Sequence, residues 1–192
     1  MKILIHQCCG PCSIYLLEHF KKTDFEAAAY FYNPNIHPVT EYYKRLEAAI
    51  QVNNAYNIES IVDEYYGLVE FTRQNAGNES SRCAGCYKTR LFKTAEKAAQ
   101  LGFEYFTSSL LYSKMQNHDL ILKMGMKAAE STGTKFYYYD FRQGWDEGIK
   151  ISKSMEIYRQ NYCGCIYSEE DRFLKQLSGK FNKKYKNALS NK

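Results

Sequence analysis

Proline is scarce in this sequence: only Pro11, Pro34 and Pro38 occur among 192 residues, and none follows residue 38. No Pro/Gly-rich linker, internal repeat or low-complexity stretch divides the chain, which excludes a string of tethered modules. Long hydrophobic runs are also missing. The longest, such as Ala27–Tyr32, are a few residues and too short to span a bilayer. The opening Met1-Lys2-Ile3-Leu4-Ile5-His6 enters a strand-like run without the longer apolar region of a signal peptide, so the expected location is cytoplasmic, with no membrane partner. Acidic residues are absent from 175–192, which hold Lys175, Lys180, Lys183, Lys184, Lys186 and Lys192. These lysines, interleaved with Phe181 and Tyr185, suit either a phosphate backbone or a solubilising end. Residues 1–174 therefore read as a single catalytic domain and 175–192 as a basic C-terminal tail. With 45% apolar and 24% charged residues, the chain is long enough to bury a sizeable core.

Seven cysteines are present, in three short groups: Cys8, Cys9 and Cys12; Cys83 and Cys86; Cys163 and Cys165. Cysteines used as small core hydrophobes would scatter. The count is odd and too low for a disulfide scaffold, and a reducing compartment disfavours disulfides. Metal or redox chemistry remains. Cys9-Gly10-Pro11-Cys12 and Cys83-Ala84-Gly85-Cys86 are C-x-x-C pairs read as standing before helices, whose N-termini lower thiol pKa values. In Cys163-Gly164-Cys165 the glycine would let backbone approach a metal. One tetrahedral zinc or one [4Fe–4S] cluster takes four thiolates and leaves three over. Adjacent Cys8 and Cys9 are expected to point apart, so two neighbouring metal sites are implied; the ligand partition stays open. A thioredoxin-type dithiol needs a downstream cis-proline, which nothing after Pro38 supplies. A structural zinc knot would use the two C-x-x-C pairs and leave Cys8, Cys163 and Cys165 unexplained.

Periodicity and turn residues predict strands at 2–7, 25–32, 58–62, 104–108 and 135–139. They predict helices at 13–22, from Thr40 as N-cap to about 57, and at 86–101, 117–131 and 145–158, with a last helix opened by Ser168-Glu169-Glu170-Asp171. This alternation gives an α/β fold with a mostly parallel sheet of about five strands. Ligands in such sheets bind beyond the carboxyl ends of strands, where the first cysteine group, Ser108-Ser109, and Asp140 with Arg142 all fall.

Five motifs, in order, carry a resemblance: Cys8-Cys9-Gly10-Pro11-Cys12, Cys83-x-x-Cys86-Tyr87, Tyr139-Asp140-Phe141-Arg142 with Gly144-Trp145, Tyr162-Cys163-Gly164-Cys165, and Ser168-Glu169-Glu170. The chain resembles the QueH family from residue 3 to about 173. It departs where many members carry Ser-Pro after the fourth strand; Leu111-Tyr112-Ser113-Lys114 stands there. The resemblance implies a HUP-like, Rossmann-related three-layer fold with helices on both sheet faces. It implies reduction of epoxyqueuosine to queuosine at the wobble base of tRNA with a GUN anticodon, using an external electron donor. It implies a [4Fe–4S] cluster beside a further iron, and no cobalamin.

Cys8, Cys9, Cys12, Cys83, Cys86, Cys163 and Cys165 are then the expected metal ligands. Asp140 is an iron ligand or proton donor, with a helix N-cap or an ion pair to Arg142 as the plainer role. Arg142 suits a tRNA phosphate or Asp140. Arg82 and Lys88 flank the second C-x-x-C and would hold cluster charge or tRNA backbone, as would Arg159. Trp145 stacks on a flipped base or packs in the core. His6 reads as a satisfied core histidine and His118 as a surface one. Two rival functions remain. One is a tRNA sulfur-transfer enzyme of HUP type, whose ATP loop would have to occupy the place of Cys8 to Cys12. The other is a structural zinc-thiolate module binding nucleic acid.

Overall fold

The computed structural model describes residues 1–186. Five strands, β1 (Lys2–His6), β2 (Glu26–Phe31), β3 (Glu59–Val62), β4 (Tyr105–Ser108) and β5 (Lys135–Phe136), form one parallel sheet in the order β3-β2-β1-β4-β5. Ile3, Leu4 and Ile5 are wholly buried because β1 is central and covered on both faces. Helices α1 (Gly10–Phe20), α2 (Val39–Tyr56), α4 (Arg82–Gln100), α5 (His118–Thr132) and α6 (Trp145–Ser154) cover the sheet on both sides. α1 packs with α2 and α6, and α4 packs with α5. This is the doubly wound arrangement that right-handed crossovers produce when the strand order reverses beside β1. Helix α3 (Leu68–Asn75) lies between β3 and α4.

Several boundaries differ from the sequence expectation for local reasons. α1 starts at Gly10 with Cys9 as its cap residue, since Pro11 fits a first-turn position where no N–H is needed. α2 is capped at Pro38, so Thr40 lies inside the first turn. α4 starts at Arg82 rather than at Cys86, which puts the whole Cys83-x-x-Cys86 pair within the helix. β5 stops at Phe136: the Tyr137 N–H still donates to the Phe106 carbonyl of β4, but the Tyr137 carbonyl takes the Thr107 hydroxyl instead of a backbone partner, and the Tyr137 and Tyr139 rings pack around His19, whose Nε2 lies 2.9 Å from the Tyr137 hydroxyl. α3 was not expected at all; its few apolar positions give only a short stripe. α5 conforms: the Asn117 side chain accepts from the Leu120 N–H, and Gly133 ends the helix at φ 73°.

The last helix, α7 (Ile166–Lys184), runs without a break through residue 174, and none of its residues is buried. The tail lysines Lys175, Lys180, Lys183 and Lys184 therefore lie on its outer half, whereas Lys192 lies outside the described residues. Among the described residues no helix is long and apolar enough to cross a membrane.

Candidate metal centre

β1 and β4 are hydrogen-bonded neighbours whose chains leave in opposite directions, which opens a crevice at their carboxyl ends. Cys8 follows β1 and Ser109 follows β4, and they clasp each other across it. The Cys8 N–H donates to Ser109 Oγ at 2.9 Å, and that hydroxyl donates to Cys8 Sγ at 3.3 Å. The chain then turns at Cys9 from strand into helix, so Cys12 comes round in the first turn of α1. The sulfurs of Cys8, Cys9 and Cys12 all lie within 4.8 Å of one another. The expectation that Cys8 and Cys9 point apart is overturned: their sulfurs are 3.8 Å apart, because strand alternation ends at this junction. Gly10 serves the packing here. A Cβ on it would meet the Ala48 carbonyl oxygen at 2.3 Å, so only glycine lets α1 and α2 cross this closely.

Burial pushes the Cys9 thiol up, and hydrogen bonding to Cys8, joined by burial, pushes Cys12 up. Cys8 moves down instead, because Cys12 and Cys9 donate to its sulfur.

The other four cysteines form a second group. Cys83 is exposed and Cys86 half-buried on the first turns of α4, while exposed Cys163 and buried Cys165 flank Gly164 just before α7. Burial raises the Cys86 thiol to about 12, with Cys163, Cys165 and Cys83 adding to the rise and Arg90 opposing it. Burial also raises Cys83, where Cys163 and Cys165 act the same way. These four sulfurs thus feel one another electrostatically although 77 or more residues separate the two pairs in the chain.

Three side chains, the buried Arg45 and Arg90 and the half-buried Gln160, tie the two groups together. Arg90 Nη2 donates to Cys86 Sγ at 2.9 Å. Burial works against the Arg90 charge, but sulfurs from both groups, Cys86, Cys163 and Cys8, keep it protonated. Gln160 Nε2 donates to Cys9 Sγ at 2.9 Å and Cys12 Sγ at 3.2 Å, which lashes the segment before Cys163 to the triad. Arg45, paired with Glu41 at 2.7 Å, donates to the Cys163 carbonyl at 2.7 Å and the Tyr162 carbonyl at 3.0 Å. Gly164 has φ +139°, and a Cβ there would sit 3.0 Å from Arg45 Nη1, so glycine is required for both conformation and space. Gln116 donates to Cys163 Sγ at 3.3 Å.

Sequence reading missed Arg45, Arg90, Gln116 and Gln160. Arg90 was legible in principle: it falls on the apolar stripe of Tyr87, Leu91, Thr94, Ala95 and Ala98, four residues after Cys86. The glutamines left no such signal.

The remaining expected residues lie as follows. Asp140 caps a 3₁₀ turn, Phe141–Gly144, and both its carboxylate oxygens accept from Arg142, at 2.8 and 2.6 Å. That pairing lowers Asp140 to about 2. Arg82 bonds Asp171 of α7, and Lys88 is exposed above the Phe92 ring. Trp145 is half-buried and stacks on Tyr112, with centroids 5.1 Å apart and planes at 25°. His6 is the satisfied core histidine expected: its ring nitrogens lie 2.9 Å from Ser108 Oγ and 3.2 Å from the Tyr32 carbonyl, and burial lowers it to about 4. His118 is a correction. It is buried at the start of α5, near Asp140 and Arg142, rather than on the surface.

Sheet order and crevice together define a Rossmann-related α/β fold. Residues 3–171 match the family model described as "Epoxyqueuosine reductase QueH", and the chain belongs to that family of oxidoreductases. It is 38% identical over 172 residues to the epoxyqueuosine reductase QueH of Dehalococcoides mccartyi, covering 90% of this chain and 94% of that one. It is 37% identical over 181 residues to the protein of the same name from Thermotoga maritima, covering 88% and 91%. Among solved structures it resembles a predicted subunit of tRNA methyltransferase from Methanocaldococcus jannaschii, with TM-score 0.51, 12% identity, and 82% and 89% of the two chains covered, a likeness of fold alone.

Proposed function

We propose that this protein is a cytoplasmic, iron-dependent reductase that converts epoxyqueuosine to queuosine at the wobble position of GUN-anticodon tRNA. The observation that carries this reading is the convergence of the Cys8, Cys9 and Cys12 sulfurs at the sheet's switch point, with Gln160 tying them to the segment before Cys163. Family membership supports the substrate.

The donor set fits iron. All seven cysteines are free, and the triad offers three soft sulfurs with no carboxylate among them. Three enclosed thiolates repel one another unless a cation joins them, and Gln160 Oε1 is buried without a protein partner beside them. Cys83, Cys86, Cys163 and Cys165 would supply the four thiolates of a [4Fe–4S] cluster, and Cys8, Cys9 and Cys12 would hold the adjacent iron. Such a pair supplies electrons singly and a Lewis acid for the departing oxygen, and no cobalamin is needed.

In the net reaction both C–O bonds of the epoxide break, a C=C bond forms, and the oxygen leaves as water. An external one-electron carrier delivers two electrons in two turns, and two protons come from solvent or side chains. The chain's own residues orient and insulate. Arg90 opposes the burial of Cys86 Sγ and would stabilise its thiolate, Gln160 fixes Cys9 and Cys12, and Arg45 pins the Cys163 backbone. Asp140 is held ionised by Arg142, so it enters as an anionic ligand or a support for Arg142, not as the acid. Arg142, Arg82 and Lys88 meet tRNA phosphates, and Trp145 offers a stacking face.

Anaerobic purification tests the centre. A brown protein holding several irons per chain is expected, and a colourless protein holding only zinc would sink the reading in favour of a structural thiolate module. Digested tRNA from a strain lacking the gene should accumulate epoxyqueuosine; unchanged queuosine refutes the substrate.

A further inference from the structure

A cavity of about 160 Å³ opens beside Cys86 and Arg90, lined also by Tyr32, Asn35, Tyr65 and Glu70. It is too small for a whole nucleotide but suits one ring system. Three features describe its occupant. The first is a pair of parallel rings on its lining: Tyr32 and Tyr65 are 6.3 Å apart at 8°. Such a pair is a stacking platform for a flat ring. The second is Asn35, 2% exposed, whose amide has neither a donor nor an acceptor partner among the described residues. A buried amide left unpaired is costly, so an apolar ligand is excluded. The third is charge. Arg90 is already bonded to Cys86, and Glu70 brings a carboxylate, so a phosphate is disfavoured.

We propose that this cavity is a guanine-type base pocket, in which Asn35 donates to the base's carbonyl, Glu70 accepts from its ring N–H and amine, and Tyr65 stacks on its face. A guanine edge offers this pair of donors beside an acceptor, and an adenine edge does not. The pocket adjoins one cluster ligand, so a base seated there brings its 7-substituent toward the thiols. The inference rests on the reductase reading, because epoxyqueuosine retains guanine's pairing edge. An enzyme acting on a paired base must take it out of the stack and read it in this manner.

The test is saturation-transfer NMR on the full-length, iron-loaded protein under anaerobic conditions, with guanosine and adenosine as probes. Guanosine should give the stronger signal, and Asn35→Leu should weaken its binding about fivefold or more. Tyr65→Ala, at a 41% exposed position, should weaken both nucleosides while iron content stays constant. Equal binding of guanosine and adenosine, or guanosine binding untouched in both variants, overturns the pocket. The reductase assay separates the two readings. Wild-type protein that selects guanosine through Asn35 but leaves epoxyqueuosine tRNA unreduced keeps the pocket and removes the proposed reaction. Variants that reduce the tRNA with unchanged KM remove the pocket and keep the reaction.

Discussion

The two thiol groups are built on different principles. Cys8, Cys9 and Cys12 arise from one strand-to-helix junction, five residues of chain, and are enclosed under the α1–α2 crossing. Cys83, Cys86, Cys163 and Cys165 come from the start of α4 and the segment before α7, and two of the four are exposed. The first group is made by local backbone geometry and is present as soon as the sheet folds. The second is made by long-range side-chain ties, Arg45, Gln160 and Gln116, and lacks the close sulfur packing of the first. A site assembled locally tolerates the loss of its metal, whereas one assembled from distant segments depends on it.

Removing a ligand from the second group should have the largest effect. Cys86→Ser or Cys163→Ser is expected to strip cluster iron and cut reductase turnover by about 10²-fold or more. Iron analysis with single-turnover assays checks it, and full iron with full turnover in either variant would place the cluster elsewhere. Next comes Arg45→Leu, which breaks a buried ion pair and frees two carbonyls. It should cost about 3–5 kcal/mol in denaturant unfolding, and a loss below about 1 kcal/mol would show the Cys163 turn to be held otherwise. A smaller, local contrast should appear on anaerobic chelation. Amide exchange at residues 157–165 should quicken while residues 8–14 stay protected, and equal loosening of both would erase the distinction drawn above.

The smallest effect concerns Asp140 and Arg142, an ion pair half open to solvent. Hydrogen bonding from Arg142 lowers Asp140 to about 2 in the folded chain. Its stabilising contribution is therefore present above the ordinary aspartate value of about 3.9 and is lost as pH falls toward 2. Asp140→Asn should remove that acid-side slope without altering stability's dependence on pH near neutrality. A carboxyl NMR titration with a midpoint near 4 would contradict the pairing.

How far the site could be read in advance varied by residue. The first C-x-x-C was correctly set at the end of β1, because the buried strand and its turn are both local signals. Cys83 was set outside its helix, which was expected to begin at Cys86, since Arg82 and Cys83 give no start signal that competes with the apolar stripe beginning at Tyr87. His118 was misjudged because a residue at a helix start looks exposed until the 3₁₀ turn from Phe141 is known to lie near it. β5 was overextended because Tyr137 and Tyr139 alternate like strand residues, while their rings find partners on α1.

Neighbour relations along the chain were enough to set the alternation of strands and helices, the grouping of thiols and the place of the first group after β1, because periodicity, capping and spacing are local properties. Only the tertiary structure decided that the strand order reverses between β1 and β4, that three sulfurs of the first group converge, and that Arg45, Arg90 and Gln160 join two remote segments. Those outcomes depend on which surfaces bury one another, and burial is a property of the whole packed molecule.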